Sequence, residues 1–130
     1  MNDLLETYPA VTEVIKTWFV KKMIESLNTD KVPEEFKEHM RKEGVNNDKL
    51  AIMLRSNPRM LFDVFDNYGL YINIIATPLE NVSAEFSYII LPLPRDFELT
   101  GLTQYSERKN AEKDAIIDAF KLLNNKLCDK

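Results

Sequence analysis

The chain has 130 residues, of which 45% are hydrophobic, 29% charged and 10% aromatic, with a net charge of −4. This length suits a single domain, residues 1–130, and the composition is that of a folded globular protein rather than a disordered one. No apolar run approaches the roughly 18–20 residues of a membrane span. The first residues lack the basic start and apolar centre of a secretory signal, and one cysteine, Cys128, excludes an internal disulfide, so a cytoplasmic setting is expected.

The charge is unevenly spread. Residues 1–59 balance, residues 60–100 carry a net −5 with Arg95 as their one cation, and residues 101–130 carry +1. No stretch is a basic patch, which argues against nucleic acid as a partner, since phosphate backbones are bound mainly by cationic neutralisation.

The first helix is predicted over Pro9 to Leu27. Val11, Val14, Ile15, Trp18, Phe19, Val20, Met23, Ile24 and Leu27 give it an apolar face wider than an ordinary surface stripe, which suggests contact on two sides. A short, charged second helix, Pro33 to Glu43, has Phe36 and Met40 as its anchors at i, i+4. His39, the sole histidine, sits on it without a cysteine or second histidine to complete a zinc site. Asn47 is placed as the cap of a third helix, Asp48 to Ser56, with Leu50, Met53 and Leu54 inward. Helices two and three invite a helix-turn-helix reading, but Lys49 and Arg55 are the only cations on the second of them.

Asn57-Pro58 then reads as the start of a fourth helix, with Leu61, Val64, Phe65 and Tyr68 inward and Gly69 as its left-handed stop. Asp63 and Asp66 share a face of it at i, i+3, a pair that fits a solvated surface better than a cation site. From Leu70 the period changes from helical to two. Leu70–Thr77 is the first strand, Ser83–Leu91 the second, and Phe97–Tyr105 a weaker third in which Gly101 allows a bulge. Pro92, Pro94, Arg95 and Asp96 stiffen the loop between the last two, and short connections favour an antiparallel meander.

The closing helix runs from Ser106 to Leu127, with Ala111, Ala115, Ile116, Ala119, Phe120, Leu123 and Leu127 in one stripe. Small residues alternating with Ile and Phe let a helix sit close to a sheet. Its natural seat is the Ala84/Phe86/Tyr88/Ile90 side of the second strand. The expected fold is therefore α+β: a helical half of about four helices (1–68), then a three-stranded antiparallel meander and a C-terminal helix packed on the sheet (69–130).

The segment Tyr105-Ser106-Glu107-Arg108-Lys109-Asn110-Ala111-Glu112-Lys113-Asp114-Ala115-Ile116-Ile117-Asp118-Ala119-Phe120 resembles the C-terminal part of small uncharacterised proteins from bacteriophages and prophages of gut Bacteroidetes. Those close with a serine or arginine turn and a helix patterned Ala-x-x-x-Ala-Ile-x-x-Ala-Phe. The resemblance covers about the last third of the chain and implies an origin, in a host cytoplasm or a virion, with no catalytic residues attached.

The sequence offers no Gly-rich phosphate loop, no Cys/His cluster and no Gly-x-Ser-x-Gly. No catalytic residue, metal ligand or cofactor is assigned. One helix covers one face of a sheet, and the opposite face still carries Tyr71, Ile75, Ile89 and Leu91, which must meet something. With Trp18 on the wide first helix and Arg95 in the stiff loop, these form the candidate partner surface. The reading is a non-enzymatic interaction protein that self-associates into a homo-oligomer or docks on another protein. A nucleic-acid-associated helical module and a carboxylate-dependent metal enzyme are the alternatives.

Overall fold

The computed structural model describes residues 1–26, 33–80, 83–93 and 102–128. Its elements in order are α1 (Asn2–Thr7), α2 (Pro9–Ser26), α3 (Glu34–Glu43), α4 (Asn47–Ser56), α5 (Met60–Asn67), β1 (Tyr71–Pro78), β2 (Ala84–Leu91) and α6 (Arg108–Cys128). The fold is α+β, and the chain forms two compact units, Met1–Val64 and Phe65–Lys130. Their boundary falls inside α5, a few residues before the expected division at 68/69. No helix among the described residues is long and apolar enough to cross a membrane.

The first unit holds one more helix than expected. Among the described residues five helices precede the strands, because Asn2–Thr7 forms its own short helix that Tyr8 interrupts at φ −122°, ψ 72°. Thr12 ties it to α2: its buried hydroxyl donates to the carbonyls of Leu5 and Tyr8 at 2.7 and 3.0 Å. Along α2 only Val11, Thr12, Ile15 and Phe19 are buried. Val14, Trp18, Val20, Met23 and Ile24 are half-buried, so the wide apolar face divides into a buried stripe and a partly open flank.

Two local expectations in this unit are corrected. Phe36 does not anchor α3; it is 46% exposed, while its neighbour Lys37 is buried. A one-residue error rotates a helical face by about 100°. The cap of α4 is Asn46 rather than Asn47, its Oδ1 accepting from the Lys49 amide at 2.8 Å. Leu50 and Leu54 point inward as expected, with Met53 half-buried.

The helix expected from Pro58 begins at Met60. Asn57 closes α4 through its amide to the Met53 carbonyl, and its own carbonyl accepts from Met60 at 3.2 Å, so Pro58 and Arg59 form a turn between two helices. At the other end Gly69 has φ +77°. The Leu70 amide reaches the Phe65 carbonyl at 2.9 Å and the Gly69 amide reaches Asp66 at 3.0 Å, the paired bonds that end a helix at a left-handed residue.

In the second unit β1 and β2 pair antiparallel in unbroken register from Tyr71↔Leu91 to Pro78↔Ala84. The described residues confirm no third strand. Of Phe97–Tyr105, residues 97–101 lie outside the described residues. Tyr105 makes an isolated bridge to Phe86, its amide donating at 2.7 Å and its carbonyl accepting at 2.8 Å. Among the described residues the sheet has two strands. α6 packs on it, mainly over β2, with Ala111, Ala115, Ala119, Ile116, Phe120 and Leu123 buried. Phe65 meets Phe120 edge-on, with centroids 5.8 Å apart.

Candidate functional site

Strand alternation decides what each sheet face presents. Ile72, Ile74, Tyr88 and Ile90 share the face on which α6 sits: the Tyr88 hydroxyl donates to Asp118 Oδ2 of that helix, and Ile90 is buried. This is the seat expected from the sequence. Tyr71, Ile75, Ile89 and Leu91 lie on the opposite face, where Tyr71 directly opposes Leu91. Tyr71 is 48% exposed, and Ile75, Ile89 and Leu91 are half-buried. Four of the six candidate partner residues are thus brought onto one face. Arg95 lies outside the described residues.

Trp18 belongs to the first unit. Its ring stands edge-on to Phe19 at 5.4 Å, Lys22 Nζ sits 5.8 Å from its centroid, and its buried Nε1 meets no hydrogen-bond partner among the described residues. It borders an open groove of about 470 Å³ together with Met23, Met53, Met60, Lys22 and Asp63. Flexible thioethers beside an indole make a surface that adapts to varied apolar shapes.

A feature the sequence did not disclose lies between β2, Tyr105 and α6. Asp114 and Asp118 are one helical turn apart and face the same way. Tyr105 donates its hydroxyl proton to Asp114 Oδ2 at 2.6 Å, as Tyr88 does to Asp118, and the two phenol rings stack with centroids 6.3 Å apart. The hydrogen bond to Asp114, helped by partial burial and the charges of both carboxylates, pushes the Tyr105 phenol up to about 12. Burial first, then Asp118, raises Tyr88 as well. Both phenols stay protonated at any neutral pH, so the ladder works as a clamp between helix and sheet. Its signal in the sequence was two aspartates at i, i+4 flanking an apolar stripe, which reads equally as a solvated helix face.

The remaining candidates are scattered. His39 is exposed on α3, in a shallow depression with Glu35, Glu38 and Lys42. Asp63 and Asp66 are each exposed, and among the described residues no group of three His, Cys, Asp or Glu side chains is placed to hold a metal ion. Cys128 is exposed near the end of α6. Compared with family models, curated proteins and solved structures, the chain matches none.

Proposed function

We propose that this chain is a non-enzymatic interaction protein whose second unit presents the sheet face opposite α6 to another protein surface. The observation that supports this reading is the gathering of Tyr71, Ile75, Ile89 and Leu91 on that face. None of them is fully buried, and half-open apolar side chains grouped on one surface mark an interaction site more often than a catalytic one. The resemblance of the last third to phage and prophage proteins gives the proposal its concrete forms: a virion or assembly component, or a protein that docks on a host factor. Trp18 and its methionine-lined groove are the corresponding surface of the first unit.

Cross-linking in the producing cells, read by mass spectrometry, tests this. Links from β1 or β2 to a second protein surface are expected, and an Ile75→Lys/Ile89→Lys variant with unchanged secondary structure should lose most of them. A sheet face that yields no intermolecular link, together with a variant indistinguishable from the parent, overturns the reading.

A further inference from the structure

The Phe86–Tyr105 bridge fixes which way every backbone group of the sheet points. Phe86 exchanges both of its bonds with Tyr105, so its N–H and C=O are directed away from β1. In an antiparallel ladder such directions alternate. Glu85, Ser87, Ile89 and Leu91 therefore bond toward β1, and their partners Thr77, Ile75, Asn73 and Tyr71 spend their backbone groups inward. The amides and carbonyls of Ile72, Ile74 and Ala76 point out along the free edge, and among the described residues nothing bonds to them.

The ends of this edge are closed. Pro78 has the outward parity but no N–H, and the Leu70 amide is already bonded to Phe65. What remains is a short outward edge of Ile72, Ile74 and Ala76. The stretch from Asn67 to Leu79 contains no charged residue. Natural edge strands usually carry a charge or an interior block against pairing; here the one proline stands at the terminus.

We propose that β1 pairs antiparallel with β1 of a second copy of this chain, across a two-fold axis at Ile74. This deepens the interaction reading above and rests on it. In that register Ile74 opposes itself and Ile72 opposes the second copy's Ala76, so all the outward residues are used and each pair exchanges two bonds. Moving the axis to Asn73 or Ile75 leaves one outward residue without a mate. Leu70 falls opposite the second copy's Pro78, two positions without a free N–H, so the ends of the register lose nothing. Tyr71 falls opposite Thr77 and Asn73 opposite Ile75, with no like charges facing each other. A charged partner strand would gain no complement here, whereas a second copy matches the edge along its length.

Sedimentation over a range of concentrations, in a Cys128→Ser background, should show a monomer–dimer equilibrium. Mixing Asn73→Cys chains with Ile75→Cys chains under mild oxidation should give a disulfide dimer that neither variant gives alone, since 73 faces 75 only across the axis. Ala76→Pro removes an outward amide without touching the β1–β2 ladder and should weaken dimerisation about 10- to 100-fold. If that variant loses its circular dichroism signature, Ala76→Lys at the same exposed position serves in its place. A strict monomer, a mixed-cysteine sample with no heterodisulfide, or a folded Ala76 variant that dimerises like the parent overturns the proposal. If dimerisation survives the Ala76 change but fails in Ile75→Lys/Ile89→Lys, the face reading stands and the edge pairing alone falls.

Discussion

At Gly69 the chain turns from helix to strand with φ +77°, in a region where a side chain costs roughly 1–2 kcal/mol. A Cβ there would also lie 3.3 Å from Lys126 Nζ, whose ammonium donates to the Tyr68 carbonyl at the end of α5. Gly69→Ala is expected to lower stability by about 1–2 kcal/mol in urea unfolding, with the slope unchanged. A second residue-scale test uses Tyr105. Its folded phenol, pushed up to about 12, lies above the ordinary value near 10 of an unfolded chain. The stabilisation from its protonated form is complete below about pH 10 and is lost as pH rises through about 12. Ultraviolet titration should show two tyrosines ionising later than the rest, of which Tyr105→Phe removes the one near pH 12, and the variant should lose less stability than the parent over that alkaline interval.

At the scale of elements, α6 sits on the sheet through three alanines whose exposure is zero. Ala115→Leu forces extra methylenes into that contact and is expected to cost about 1–3 kcal/mol. Phe120→Ala removes a fully buried ring packed on Phe65 and is expected to cost about 3–5 kcal/mol. A thermal melt ranking Phe120→Ala as the milder change would contradict this packing. The same helix shows what the sequence made legible: an unbroken 3.6-residue stripe, and a period change at a glycine, give α6, α5, β1 and β2 within two residues at each end. Where apolar residues were few, inference failed. On α3 two apolar residues do not fix the rotation, and Phe36 lies outside rather than inside. α1 has a single buried side chain, Leu5, too little for periodicity to register. Of the expected third strand, the described residues show one backbone bridge, Tyr105 to Phe86. The Tyr–Asp clamp is a relation between residues many positions apart, which no local pattern carries. The candidate face, by contrast, was legible once two adjacent strands could be aligned by their period of two.

For the whole molecule, the distribution of charge decides how association should respond to salt. Each chain carries −4, and the uncharged stretch from Asn67 to Leu79 is flanked by Asp63 and Asp66 on one side and Glu80 and Glu85 on the other. Pairing two copies through β1 therefore brings two chains of like net charge together, with these carboxylates the nearest in sequence to the paired strands. Two like charges about 10 Å apart in water repel by about 0.4 kcal/mol, and the Debye length is also about 10 Å at 0.1 M salt. Raising the salt from about 0.05 to 0.5 M should therefore screen this repulsion and tighten the dimer by up to about twofold. Glu80→Lys should tighten it at low salt and remove most of the salt response. An interface built on ion pairs responds in the opposite sense, weakening as salt is added, so sedimentation at two ionic strengths separates an uncharged strand edge from any charged surface of the same chain.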